Sequence, residues 1–591
     1  WQITNFNKPK KEDLIVYEVL IRDFDANRNF QDLINKIDYF KNLKINAIEL
    51  MPVMEFEGNE SWGYNTSFHM ALDKFYGTSD KFKEFIDLCH QNGIAVILDV
   101  ALNHAFGRNP MNRMWMNDPD GDGWGDPSSE NPYFNTSAMH SYNVGSDFNH
   151  QQVRTKNYVK RVIKQWVEEF KIDGFRWDLT KGFTQNCPSN VSGGQENCTN
   201  MSQPDRIVVL QDYADYSWGL DPTHYVIFEH LGTDSEELQW ANYRISETPS
   251  KGVMMWGKMT YDYSLLLAGN TGANISRMGH QAHGFSAKRL MGYAESHDEE
   301  RLMYNAYTNG NTGGSKPTFE NLDNCLARMS SIGAASLLIP GPKMIWHFAD
   351  LGMENSIFTC TDGSVNTPSG GAAGDCKLAT KPQPQWTNNW LGDLRRAKIY
   401  NDWAKMIALK IQEPVFEGNY TISPDGGSPV KQRVYIYDDA LPSTQLKNVV
   451  VLCNFSVANL PDFIPSFPYA GTWYNLIDNT SINVTDVNAP LAIPSGQFLI
   501  YGNQKSTLDT ANFDFIEDVH LYPNPASTYF TLNANTSKVE VYSITGQLVK
   551  KFNAKQSQGY QFSISELKSG MYFVRTFDEN NTINVYKFIK Q

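Results

Sequence analysis

The sequence predicts an α/β protein built on a parallel (β/α)8 barrel, with antiparallel β-structure following it. Three observations carry that expectation. Four strand-like stretches run into acids, histidines or arginine: residues 95–104 (AVILDVALNH), 175–182 (FRWDLTKG), 225–230 (YVIFEH) and 291–298 (MGYAESHD). A parallel barrel gathers its chemistry at the carboxyl ends of its strands, and such stretches suit that face. Strands and helical segments alternate from residue 14 onward, which implies parallel pairing through crossover helices. Past residue 414 the alternation gives way to short β-runs.

In chain order, residues 14–22 (LIVYEVLIR) are the first strand and 30–43 the first amphipathic helix. The second strand covers 45–51 and leads into a Gly/Asn-rich loop containing Trp62, Gly63, Tyr64 and Asn65. A helix over 81–91 precedes the third strand, 93–100. Between His104 and His150 the rhythm breaks in a stretch rich in Asn, Asp, Gly, Pro, Trp and Met, too long for a plain connection and therefore functional. A helix over 155–170 restores the alternation. Residues 173–178, 225–229, 291–296 and 343–348 follow as strands four, five, seven and eight, with the sixth placed at 253–256. Helices over 321–338 and 394–411 come late in the barrel. Short β-runs at 433–437, 448–454, 471–477 and 496–501 suit an antiparallel sandwich. The expected division is a barrel of residues 1–104 and 151–413, an insertion of 105–150, a sandwich of 414–503, a polar linker of 504–517 and a small terminal β unit of 518–591.

Hydrophobic residues make up 41% of the 591-residue chain and aromatics 13%, enough for large cores in more than one domain and for sugar stacking. A net charge of −14 argues against a nucleic-acid partner, since phosphate binding needs a basic surface. No apolar run reaches the roughly 20 residues of a membrane span. The chain opens at Trp1 with neither Met nor a signal peptide, which suggests a processed start. Cys187 and Cys198 flank one polar loop and Cys360 and Cys376 another, so each pair is expected as a disulfide in an oxidising compartment. Cys89, Cys325 and Cys453 lie in apolar segments and are expected as buried thiols. No Cys/His spacing suggests zinc.

Arg176 and Asp178 are two apart, so on a strand both leave the same face. A guanidinium beside a carboxylate keeps it ionised and oriented, as a nucleophilic carboxylate requires. Alone, that pair would be a salt bridge at a strand end. Its company changes the reading. The four stretches, in this order, resemble the four conserved regions of the α-amylase family, glycoside hydrolase family 13. Retaining cleavage of a glycosidic bond needs a nucleophilic carboxylate and a protonated carboxyl about 5–5.5 Å apart, and the resemblance assigns these to Asp178 and Glu229. Glu229 would need a raised pKa, from apolar surroundings and the charge of Asp178. Asp298 matches the third acid, which grips sugar hydroxyls and stabilises an oxocarbenium-like transition state.

Further positions carry over singly. His104 and His297 match histidines that hydrogen-bond the central sugar, Tyr64 the aromatic platform beneath it, and Lys181 a lysine on the leaving-group side. Asp99 is expected to brace the site; Tyr17 either lies near it or belongs to the core, and His230 either meets the leaving group or is structural. Ca²⁺ is the only cofactor implied, with no organic cofactor. Asn103 matches the family's calcium-binding asparagine and Asp147 an aspartate ligand of its small inserted domain B, after the third strand. Where many relatives place a histidine after the lysine this chain has Gly182, a position that offers a backbone carbonyl. Separately, Asp118, Asp120 and Asp122 form a D-x-D-x-D-G loop whose hard oxygens suit Ca²⁺, although its twelfth position is Ser129 rather than glutamate.

The tail beginning YPNP (522–525), with YSITGQ (542–547) centrally and GMYFV (570–574) near its end, looks like a type A sorting domain of the type IX secretion system. It implies the secretion machinery as a partner and export across the outer membrane. The leading expectation is a secreted, retaining, endo-acting α-amylase on starch or glycogen. The alternatives are α-1,6 cleavage or glucan transfer within the same family, and a non-catalytic glucan-binding surface protein.

Overall fold

In a computed structural model of the chain, the structure describes residues 1–366, 376–425, 428–458, 460–508, 521–532, 536–552, 561–577 and 583–591. Eight strands close a barrel: β1 (Ile15–Val19), β2 (Ala47–Leu50), β3 (Ala95–Val100), β4 (Gly174–Trp177), β5 (Tyr225–Phe228), β6 (Met254–Lys258), β7 (Leu290–Tyr293) and β8 (Lys343–Trp346). Each pairs in parallel with the next, and β8 returns to β1, with Val16 opposite Met344. The expected sixth strand is present, shifted to end at Lys258.

Side chains along a strand alternate between faces, and that period sets the barrel's interior. Val16, Ala47, Ile97, Ile227, Trp256, Met291 and Met344 pack into one apolar cluster inside the barrel. Two positions further along the chain come Glu18, Glu49, Asp99 and Glu229. The same parity that buries an apolar plug below therefore delivers a charged layer at the carboxyl-end face. Gly174 keeps β4 level with β5: a Cβ there would lie 2.5 Å from the Cβ of its partner Tyr225 and 2.8 Å from that residue's carbonyl oxygen.

The helices follow the sequence reading with corrections. The segment expected as one helix over 30–43 is two, Phe30–Asn35 and Ile37–Leu43, with Lys36 at the break. Helix Ser79–Gln91 starts where the Thr78 hydroxyl accepts from the Lys81 amide, and Leu322–Ser336 where Asn321 caps it. Helices Pro204–Leu220, Asp234–Ala241, Thr260–Ala268 and Leu302–Asn309 were not anticipated. The insertion after β3 has little regular structure. His104–Ala105 pairs with Ser146–Asp147, and Ala105, Met111, Phe134 and Phe148 form a small core of its own.

After the barrel comes a six-stranded antiparallel sheet in the order Asn419–Asp425, Ser428–Tyr437, Asn448–Asn454, Phe498–Gly502, Gly471–Asn475, Ser481–Val484. Val450, Leu452, Phe463, Phe467, Trp473 and Ile493 form its core. Arg328, on the barrel helix Leu322–Ser336, ties it down by donating to the Ser456 carbonyl at 3.1 Å.

By contacts the chain divides into two compact units, Trp1–Thr387 with Ile399–Thr507, and Asn388–Lys398 with Leu508–Gln591. The second holds a three-stranded and a four-stranded antiparallel sheet around Phe530, Val539, Val541, Phe562, Val574 and Phe588. Most of the expected linker, residues 509–517, lies outside the described residues. Both expected disulfides are present, Cys187–Cys198 and Cys360–Cys376, and Cys89, Cys325 and Cys453 are buried thiols. Among the described residues no helix is long and apolar enough to cross a membrane.

Candidate active site

The charged layer is organised by Arg176. Its side chain is fully buried on β4, stacked over the Trp256 ring at 4.0 Å, and Nη1 donates to both Asp99 carboxylate oxygens and to Asp178 Oδ1, each at 2.9 Å. Nη2 lies 3.5 Å from Glu229 Oε2. One guanidinium thus spans the two expected catalytic acids. Trp177 and Phe228 are register partners, so Asp178 and Glu229 leave adjacent strand ends side by side. Neighbouring strands run about 4.8 Å apart, which is the scale of separation that a double displacement at one carbon requires. The Asp178 amide donates to the Val100 carbonyl and the Glu229 amide to the Trp177 carbonyl, both at 3.0 Å, continuing the ladder past the strands.

Burial pushes the Glu229 carboxyl up to about 7; Arg176 opposes that shift and Asp178 adds to it. The Leu179 amide donates to Glu229 Oε2 at 2.7 Å, fixing the carboxyl's orientation. Asp298 is the more open acid. Its partial enclosure works against the charge, but His297 and Lys377 outweigh that and hold it below the usual carboxylate range. His297 Nδ1 donates to Glu18 Oε1 at 2.6 Å and Nε2 to the Tyr64 hydroxyl at 2.9 Å. Burial favours the neutral ring, yet Glu18 and Asp298 raise the His297 pKa to about 10. The Tyr64 hydroxyl donates on to Asp99 Oδ2 at 2.5 Å, and the ring stacks on His297 with centroids 5.3 Å apart. Tyr64, His297, Asp99, Arg176, Asp178, Glu229 and Asp298 form one continuous network.

Other expected residues fall differently. His104 is buried with Nε2 on the Tyr64 carbonyl at 2.6 Å and Nδ1 on Asn103 Oδ1 at 2.5 Å. His230 is turned inward between Thr180 and Glu236, which gives it a structural place. Tyr17 belongs to the core: its hydroxyl donates to Asp350 Oδ1 and accepts from the Phe348 amide, each at 2.8 Å. Lys181, in the short helical turn Thr180–Phe183, donates to Asn200 Oδ1 at 2.8 Å.

The two expected calcium sets part company. Asn103 Nδ2 donates to the Asp178 carbonyl and lies 3.3 Å from its Oδ2. Asp147 Oδ1 faces His140 Nε2 at 3.1 Å, and Oδ2 accepts from Asn135 and the Met139 amide. The His140 ring packs against Gly182, where a Cβ would lie 3.0 Å from both His140 Cε1 and Asn103 Cβ. Asn103 and Asp147 are thus met by protein donors, Asn103 Oδ1 at His104 and Asp147 at His140, Asn135 and the Met139 amide. The carboxylates of Asp118, Asp120 and Asp122 do converge, each with an oxygen within 4.8 Å of the others, and buried Asp118 Oδ1 has no hydrogen-bond partner. That set of hard oxygens fits Ca²⁺.

Glu18, Glu49 and Lys377 went unnoticed in the sequence. Glu18 and Glu49 were signalled: each is a lone acid on the inward parity of an otherwise apolar strand. Lys377 Nζ lies 3.6 Å from Asp298 Oδ1, brought there by a loop whose sequence carries no mark of it.

Residues 23–111 and 106–357 match the α-amylase catalytic domain family. The chain belongs to the α-amylase family of glycoside hydrolases. Within that family it is 24% identical to a malto-oligosyltrehalose trehalohydrolase from Saccharolobus solfataricus over 495 residues, 77% of this chain and 80% of that protein. It is 31% identical to α-amylase 3 of Dictyoglomus thermophilum over 214 residues, 33% of this chain and 42% of that one. Among solved structures, a pullulanase from Group B Streptococcus shares the fold with a TM-score of 0.59 at 16% identity, covering 85% of this chain and 72% of that one. Residues 520–591 match a secretion system C-terminal sorting domain, which marks the protein for type IX export to the cell surface or beyond.

Proposed function

We propose that this family member is a retaining α-glucan hydrolase, endo-acting on the α-1,4 bonds of starch or glycogen. The observation that carries the reading is the single buried guanidinium of Arg176 touching Asp178 and lying 3.5 Å from Glu229, whose pKa is raised to about 7. Asp178 attacks the anomeric carbon while Glu229 gives its proton to the departing glycosidic oxygen, leaving a glycosyl ester on Asp178. Glu229, now ionised, takes a proton from water, which displaces the ester and restores both acids. Asp298 grips hydroxyls of the same sugar, the charged His297 holds Asp298 ionised and positions Tyr64, which lies beneath that sugar, and Lys181 meets the leaving-group sugar. His104 orients the Tyr64 loop through its carbonyl.

Asp178→Asn keeps the size and a hydrogen-bonding oxygen but removes the nucleophile. It should abolish release of reducing sugar from soluble starch with the circular dichroism spectrum unchanged; retained activity would remove the assignment. A second reading within the family, cleavage or transfer at other α-glucosidic linkages, is supported by the 495-residue similarity to the trehalohydrolase. Chromatography of products from amylose and pullulan separates the two. Calcium is part of the proposal at Asp118, Asp120 and Asp122 alone, where the ion would order the insertion and take no part in the chemistry.

A further inference from the structure

Asp298 is held differently from the other two acids of the network. Asp178 and Glu229 leave strand ends and share Arg176. Asp298 lies in the loop past Tyr293, the last residue of β7, with an ion pair on each oxygen. His297 Nε2 is 3.7 Å from Oδ2 and Lys377 Nζ is 3.6 Å from Oδ1. The same Lys377 ammonium lies 5.2 Å from the centre of the Trp62 ring, a cation–π approach that adds a second contact.

The route by which Lys377 reaches Asp298 closes on itself. Glu300, just beyond Asp298, accepts from the Ser356 hydroxyl at 2.6 Å and the Ile357 amide at 2.8 Å, which fixes the outgoing arm of the segment after β8. Cys360 on that arm is bonded to Cys376, and Lys377 is the next residue. The Lys381 ammonium ties the same two arms, donating to the Ile357 and Cys376 carbonyls at 2.7 and 2.6 Å, but through hydrogen bonds alone. Packing does not replace these tethers: a cavity of about 50 Å³ lies between Ser356, Ile357 and Lys381 on one side and Trp62, His297 and Trp346 at the barrel end. The disulfide is the covalent tie in this ring and sits beside the lysine. Both of its cysteines are half-buried, within reach of thiol exchange.

We propose that Lys377 is a positioning residue that orients the Asp298 carboxylate for the transition state, and that the Cys360–Cys376 disulfide sets it in place, so that full activity requires this bond. The bond forms by thiol–disulfide exchange: the two thiols give up two electrons and two protons, and a partner disulfide accepts them and leaves as a dithiol. An oxidising compartment favours the bond and a reducing one the thiols. This inference rests on the α-glucan reading above, through the role of Asp298.

The test compares kcat and KM on soluble starch for wild type, Lys377→Met, Lys377→Arg, the double variant Cys360→Ser with Cys376→Ser, and the triple variant that adds Lys377→Met. Lys377→Met should lower kcat roughly tenfold with KM within about twofold, the pattern of a contact that acts in the transition state. Lys377→Arg keeps the charge and should stay within about threefold of wild type. The double serine variant should lose kcat to a similar extent as Lys377→Met, and the triple variant should lie within about twofold of it, because both changes act on one element. Thermal unfolding of each variant separates these effects from loss of the fold. If the double serine variant does not fold, dithiothreitol treatment takes its place and should lower kcat in wild type but not in Lys377→Met. Wild-type kcat in folded Lys377→Met overturns the proposal and leaves the α-glucan reading standing, as does a loss in the double serine variant that multiplies with that of Lys377→Met. A wild type inactive on starch overturns the α-glucan reading and this proposal with it.

Discussion

Glu229 is where a single residue sets the behaviour of the site. Arg176, Asp178 and Asp298 face it from β4 and the end of β7, and burial holds its carboxyl neutral up to about pH 7. The acid form is the one the first step needs, so kcat/KM on soluble starch should fall about tenfold per unit above pH 7. His297, raised to about 10, keeps its charge through that range and leaves the limb to Glu229. Glu229→Gln should lower the rate about a thousandfold and remove the limb. A wild-type profile flat to pH 9 would take the acid role from Glu229. Arg176, Asp178, Glu229 and Asp298 were all legible in the sequence because strand ends carry their residues in short, ordered motifs. Glu18 was marked only as a lone acid on an apolar strand: its partner His297 lies 279 residues away in the chain, and no local pattern announces that pairing.

At the scale of elements, the strands were legible and several helices were not, for one physical reason. Apart from exposed Lys258 at the end of β6, every barrel-strand residue is buried, so the strands appear as short, largely apolar runs. Helix Pro204–Leu220 mixes polar and apolar residues around its circumference, so it shows no clean stripe along its length. The insertion after β3 lies at the far end of that range, with a core of four buried side chains and few backbone ladders. Such an element gains most from an ion. If the Asp118, Asp120 and Asp122 loop holds Ca²⁺, chelation should lower the melting temperature by roughly 3 °C and added Ca²⁺ should restore it. Asp118→Asn should melt at the chelated value with or without the ion. A melting temperature indifferent to EDTA in the wild type would leave the loop an acidic turn.

For the whole molecule, the chain carries two separate kinds of information. The barrel cluster around Val16, Ile97, Ile227 and Trp256 and the terminal cluster around Phe530, Val541, Phe562 and Phe588 share no residue. Every member of the acid network, from Glu18 to Lys377, belongs to the first unit. A tail that bears no catalytic group and closes its own core can act as an address without touching the chemistry. Deleting residues 518–591 should therefore stop the enzyme from reaching the cell surface or medium in a host with type IX export, while kcat/KM on starch of the purified truncated chain stays within about twofold of the full chain. The truncation leaves Asn388–Lys398, which belongs to the second unit, without the rest of that unit, so thermal unfolding should be measured alongside. Starch hydrolysis by intact cells, compared with lysed cells, reads the address directly. Equal extracellular activity with and without the tail would show that export relies on another segment, and a large loss of kcat/KM in a chain that melts normally would place the terminal unit within the machinery of catalysis.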